Sequence, residues 1–295
     1  MKKINYSLII LTGLLWGLIV TSGQFFSNLE FSLFEIPIYM FSFLSMILIA
    51  YFILTKKHIP GRKIIPFFIL YGLIGALLQL SQYGGVILGI PVAIVALLIY
   101  TQPIWSTIFG KIIFKEKIVK IEIISLIIAV TGVIILIEPW KVEFIANTLG
   151  IFSALMAGVF LSLFIIYGKK SGIRKQHYMT TSFGYFFFSV LWLIFFLVIT
   201  SIFVQIPRFN VMDLNNLMNY WYYILFFGLF AFLIPHTIFY KGIKNVEVSD
   251  AGIVLLLEPV SAAVYAFFFF AQPLTMNIII GGILIIISNY LSIKW

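Results

Sequence analysis

Glu258 stands inside an apolar run, Val254-Leu255-Leu256-Leu257-Glu258-Pro259-Val260. An unpaired carboxylate is costly in hydrocarbon, so Glu258 must face a wet cavity or a polar partner. Loss of water disfavours the charged form, which makes Glu258 a candidate proton-binding group and the proton a candidate coupling ion. A structural role is open too: Pro259 removes one helix hydrogen bond, and a protonated Glu258 would close the gap. His236 follows Pro235 in a second apolar run. A buried imidazole there either switches protonation near neutral pH or is held by a neighbour. Gln79 and Gln82 lie three apart, on one face of a helix. Their amides suit a polar solute, and they equally suit hydrogen bonds that join helices. Gln102 adds a further amide, with Trp16, Tyr83, Tyr100 and Trp105 as candidate apolar walls and Gln24 beside them.

These residues form no catalytic set. The chain has no cysteine, so disulfides, thiolate metal sites and Cys nucleophiles are absent. His58, His177 and His236 are far apart and show no metal-ligand spacing. Walker A, HExxH and GxSxG motifs are also missing. Neither enzymatic activity, nor a metal, nor a cofactor is expected. An ATP-driven pump needs a nucleotide-binding domain, and no polar segment is long enough to form one. A lipid-modifying enzyme would have only Glu258 and His236 for acid–base work, on different helices. A non-transporting receptor or scaffold is the remaining class.

The elements that must hold these groups follow from composition. Of 295 residues, 62% are hydrophobic and 10% charged, against about 25% charged in soluble domains. The mean hydropathy of +1.14 agrees. The bilayer must be the solvent for most of the chain. A helix of about 20 apolar residues crosses the hydrocarbon core. Ten such runs are expected, at 4–25, 36–54, 64–86, 91–113, 119–137, 147–168, 180–203, 220–240, 248–270 and 274–293. The first is too long for a cleaved signal peptide, whose apolar region covers about 7–15 residues.

Charge tests this count. With the N-terminus in the cytoplasm, cytoplasmic segments hold 17 of the 19 Lys and Arg, and outer segments only Lys141 and Arg208. Glu30, Glu35, Glu138, Glu143 and Asp213 also fall outside. Adding or removing one helix would destroy this asymmetry, so the positive-inside rule supports ten helices with both ends cytoplasmic. The net charge of +9 is then a topology signal and a surface for anionic lipid, not a nucleic-acid patch.

The chain reads as two five-helix halves, 1–140 and 146–295. Ala96-Leu97-Leu98 through Gln102-Pro103-Ile104 lies over Gly252-Ile253-Val254 through Glu258-Pro259-Val260 without a gap. Glu116-Lys117 continues over Gln272-Pro273, and Gly13 to Gly17 is laid over Ala154 to Gly158. An odd-numbered repeat enters the membrane from opposite sides. The expected fold is therefore an all-α integral membrane protein of about ten transmembrane helices in two inverted five-helix repeats. That architecture serves alternating access around a site near the midplane.

The same residues carry a family resemblance. The run VLLLEPVSAA (254–263), Tyr240-Lys241-Gly242-Ile243-Lys244, Leu15-Trp16-Gly17, Gln102-Pro103 and Lys115-Glu116 together resemble the EamA-type permeases of the drug/metabolite transporter superfamily. The resemblance spans nearly the whole chain. It implies export or exchange of a small metabolite, often an amino acid, across the cytoplasmic membrane. Ten helices can enclose a complete pathway, so a monomer suffices, and a homodimer is the alternative. A nutrient importer and a multidrug exporter share the pattern. Departures touch the first half: no Arg stands early in helix 2, near Phe43, and the first Glu-Pro is Gln102-Pro103. The second Gly-Glu is Ala271-Gln272.

Overall fold

The fold comes from a computed structural model, which describes residues 2–88, 90, 92–141, 147–203 and 212–293. Glu143, Arg208 and Lys294 fall outside these. Among the described residues every regular element is helical. The helices are α1 (Lys2–Asn28), α2 (Glu35–Thr55), α3 (Ile65–Ile87), α4 (Val92–Ile99), α5 (Gln102–Phe114), α6 (Lys120–Ile137) and α7 (Thr148–Ile173). They continue with α8 (Tyr178–Phe203), α9 (Leu214–Phe227), α10 (Ile234–Ile243), α11 (Val248–Val254), α12 (Leu257–Phe270) and α13 (Met276–Ser292). Among the described residues nine apolar helical segments are 21 to 30 residues long, enough to cross a bilayer. The tenth, α13, has 17 residues and packs along α6. The chain is a multi-pass, all-α membrane protein.

The fourth and ninth crossings are each split, α4 from α5 and α11 from α12. Proline causes both breaks, at Pro103 and Pro259. A proline lacks the N–H that should reach back four residues, so the preceding turn tightens. Thr101 N–H bonds Leu98 O at 3.2 Å, and Leu256 N–H bonds Ile253 O at 3.1 Å. The eighth crossing is continuous, but α9 joins α10 through a π-helical turn, Gly228–Leu233.

The two halves repeat in detail. Helix α5 ends on Lys115 (φ 55°) and α12 on Ala271 (φ 52°), both left-handed. Gly110 O accepts the N–H groups of Lys115 and Glu116, and Ala266 O accepts those of Ala271 and Gln272. The packing is mirrored as well. Helix α3 lies on α7 as α10 lies on α1, and α5 lies on α7 as α12 lies on α1. The second crossing pairs with the seventh and the fifth with the tenth.

One expected register is corrected. Past the end of α1, Glu30 (φ 63°) precedes Phe31, whose N–H bonds Phe26 O. Past α7, Lys175 (φ 58°) precedes Gln176, whose N–H bonds Ser171 O. That correspondence sets Gly13 on Gly158 and Gly17 on Ser162, one helical turn from the expected pairing with Ala154 and Gly158. The contacts agree. A Cβ on Gly13 would lie 3.3 Å from Val254 O, and one on Gly158 3.0 Å from Ile99 O. Each glycine lets its helix approach the carbonyls at the break of the opposite half's split helix. A small-residue match four apart fits two registers, so sequence alone does not choose between them.

Candidate functional site

A cavity of about 460 Å³ lies where the two halves meet. Helix α1 supplies Trp16, Ile19, Val20, Gly23, Gln24, Ser27 and Asn28. Helix α3 supplies Leu78, Gln79 and Gln82, and the α4 arm supplies Val95, Ala96, Ile99 and Tyr100. Leu161 and Phe164 of α7, Tyr185 of α8, Phe232, His236 and Glu258 complete the wall. The exposed residues Gln24, Ser27 and Asn28 sit at its mouth, at the end of the bundle away from the chain termini. The breaks explain this placement. Where a helix is interrupted, its axis shifts and side chains just past the break turn into the interior. Glu258, second residue of α12, is turned in this way, and Tyr100, just before the other break, lines the same cavity.

The floor is aromatic. His236 Nδ1 lies 2.7 Å from Phe232 O. A carbonyl only accepts, so Nδ1 carries the proton and Nε2 is the free lone pair. The imidazole is caged by Trp16, Phe164, Tyr185 and Phe186, with centroids 5.2 to 5.4 Å away. Below it the Tyr71 hydroxyl lies 3.1 Å from Phe164 O and 2.8 Å from the Tyr240 hydroxyl. This packed layer closes the cavity toward the chain termini. Gln79 and Tyr185 line the same wall. Trp16 Nε1 is buried and has no hydrogen-bond partner among the described residues. No Lys or Arg among the described residues lines the cavity.

The structure thus brings Trp16, Gln79, Gln82, Tyr100, His236 and Glu258 to one cavity, with Gln24 at its rim. Gln102 and Trp105 stand elsewhere. Gln102 occupies the repeat position of Glu258 but is sealed in the interface of α5 with α7 and α11. Its Nε2 bonds Ser106 Oγ at 2.5 Å, and Ser106 Oγ donates to Ser162 Oγ at 3.1 Å. Trp105 is half-buried on α5 and its Nε1 reaches Thr101 Oγ1 at 3.3 Å. The Tyr83 side chain lies outside the described residues. Among the wall residues that sequence reasoning missed are Leu161, Phe164 and Tyr185. In the corrected register Leu161 and Phe164 answer Trp16 and Ile19, so the right repeat alignment would have found two of the three.

Comparison with known proteins adds an independent line. The sequence profile of the EamA-like transporter family matches twice, over residues 3–138 and 148–294. The chain is 27% identical to an uncharacterized transporter of Clostridium kluyveri, with 99% of this chain and 93% of that one aligned. It is 22% identical to an uncharacterized transporter of Archaeoglobus fulgidus, over 71% of this chain and 70% of that one. A solved structure described as "Crystal structure of protein" superposes with a TM-score of 0.78 at 14% identity. It covers 99% of this chain and 97% of that one, a likeness of fold.

Proposed function

Because the chain belongs to the EamA-like transporter family, within the drug/metabolite transporter superfamily, we propose that its cavity binds an amino acid or related amine-bearing solute and carries it by alternating access. The protein is a membrane transporter of a small molecule, and the chemistry of the cavity supports this finer reading. Among the described residues the wall holds one carboxyl group, Glu258, and no basic residue, which favours a solute with an ammonium group and disfavours phosphates and dicarboxylates. The Gln79 and Gln82 amides offer donors for a carboxylate or carbonyl at the solute's other end. Phe164, Tyr185 and Phe232 give an apolar wall for its body.

The observation that carries the reading is Glu258 inside a cavity bounded by both split helices. Such helices build solute sites at the midplane of transporters made of inverted repeats. Residues 1–140 and 146–295 are the two inverted repeats, and inward- and outward-open states arise when they exchange shapes. The basic residues flank the ends of helices on the termini side, which supports cytoplasmic termini in the cytoplasmic membrane and a cavity facing outward here. Export or exchange is the proposed direction, with the proton as coupling ion at Glu258. One chain encloses the whole cavity, so a monomer suffices.

The test is uptake into proteoliposomes of labelled amino acids, amines and organic acids, with and without a preset pH gradient, for wild type and Glu258→Gln. Saturable, gradient-dependent movement of an amine-bearing solute, lost in the variant, is expected. Transport of organic acids only, or transport indifferent to Glu258→Gln, would sink the reading of the carboxyl as the coupling group.

A further inference from the structure

At the termini side the two split helices are held together by one carboxylate. Glu116 follows the left-handed end of α5. Its Oε1 accepts Lys169 Nζ of α7 at 2.6 Å. Both oxygens also accept the Val248 N–H at the start of α11, at 3.0 and 2.9 Å. Oε2 further lies 3.5 Å from Ser249 N. Glu116 and Lys169 are 8% and 11% exposed, so water does little to weaken the contact. A Cβ on Gly110 would come within 2.5 Å of Glu116 Oε2, so glycine makes room for the carboxylate.

The repeat supplies the control. In the corrected register the counterparts of Glu116, Lys169, Gly110 and Val248 are Gln272, Gln24, Ala266 and Val92. On the open side Gln272 Nε2 meets Gln24 Oε1 at 3.4 Å, a neutral pair, both residues exposed. There α4 and α12 stand on opposite walls of the cavity, whereas α5 and α11 are packed together. One end of the molecule thus carries a charged clasp, and its mirror image carries two amides.

We propose that Glu116, held by Lys169, is a latch that docks α11 onto α5 and biases the protein toward the state open at the end away from the termini. The inference rests on the transport reading and adds to it a resting state and the residue that sets it. Opening the termini side requires Val248 and Ser249 N–H to leave Glu116, a loss of charge-assisted hydrogen bonds. The mirror closure involves no such bond.

The cysteine-free sequence makes thiol labelling a direct readout. Ala96→Cys places a thiol in the open cavity. Ser249→Cys places one in the closed interface, where the serine hydroxyl has no hydrogen-bond partner among the described residues. In purified protein, maleimide should modify the Ala96→Cys variant quickly and the Ser249→Cys variant slowly. Adding Glu116→Gln should slow the first and speed the second, each by roughly tenfold. Glu116→Gln leaves Lys169 unpaired and could misfold, so a second variant adds charge at exposed positions. Gln24→Lys with Gln272→Glu builds the missing clasp and should slow Ala96→Cys labelling by a similar factor. Unchanged labelling at both reporters in both variants would overturn the latch. The labelling needs no solute, and wild-type uptake in liposomes shows separately whether the transport reading stands.

Discussion

Replacing Gly17 with alanine should loosen the whole bundle. Helix α1 crosses α12 so closely that a Cβ at Gly17 would lie 2.3 Å from Ser261 Oγ, 2.5 Å from Ala262 N and 2.9 Å from Ser261 C. The serine hydroxyl can rotate away, but the backbone cannot. Ordinary contact begins near 3.4 Å, so the helices must part by about 0.9 Å along the Ala262 direction. Overpacking of this kind costs about 1–3 kcal/mol, which lowers the thermal midpoint by roughly 2–10 °C. The neighbouring Trp16 moves with its helix, so solute uptake should fall as well. Two glycines calibrate the effect. Gly13→Ala meets Leu257 Cβ and Val254 O at 3.3 Å and should cost less, whereas Gly61→Ala meets nothing within 4 Å. Thermal unfolding of the detergent-purified variants gives the order. If Gly17→Ala unfolds at the same temperature as Gly61→Ala, the described approach of α1 to α12 is wrong.

Other consequences follow from single contacts. The Asn147 side chain accepts the Leu149 and Gly150 N–H groups at the start of α7 and donates to Leu88 O at 2.8 Å. Asn147→Ala should destabilise the protein by about 0.5–2 kcal/mol, read as a lower thermal midpoint. Tyr71→Phe removes a hydroxyl that joins Phe164 O to Tyr240, and should cost about 1–3 kcal/mol because Tyr240 loses its partner in a buried layer. His177, in the joint between α7 and α8, stacks on His58 at 3.5 Å. Burial first, then His58 and Lys241, holds its pKa below the usual histidine value. The native state therefore binds fewer protons than the unfolded chain below about pH 6.5, and stability falls as pH drops through that value. The thermal midpoint should decrease from about pH 7.5 to about pH 5.5, and by less in His177→Asn. Equal decreases would assign the pH response to other groups.

Sequence reaches the fold because hydropathy, charge asymmetry and an odd-numbered repeat constrain one another. It reaches Glu258 and His236 because polar side chains in apolar runs are rare enough to stand out. It fails where the answer depends on the direction of a side chain. Gln102 and Glu258 align in the repeat, yet one is sealed against Gly252 and Ser106 while the other lines the cavity. The two halves adopt different shapes in one state, and no one-dimensional pattern records which half is open. Phe164 and Tyr185 are invisible for another reason: with 32 Phe and 15 Tyr in the chain, an aromatic residue by itself carries little information. Glu116 stands out in sequence only as part of a motif. Its partner amides lie more than 130 positions away, at a helix start that the split of the ninth crossing creates.

The interleaved packing also bears on how the chain is made. Helix α1 has extensive contacts with α10 and α12, α3 with α7 and α8, and α6 with α13. The first helix to enter the membrane must therefore wait for nearly the last before its small-residue face is covered. Neither half is a self-sufficient unit, because the surface each presents inward is completed by the other. During synthesis the amino-terminal half sits in the bilayer with Gly13, Gly17 and its cavity wall facing lipid or a membrane chaperone. Truncation anywhere before α12 should leave a product that inserts normally but is cleared by membrane proteases. The same exchange of partners should let the two halves, expressed as separate polypeptides, find each other in the bilayer, which their co-purification would show.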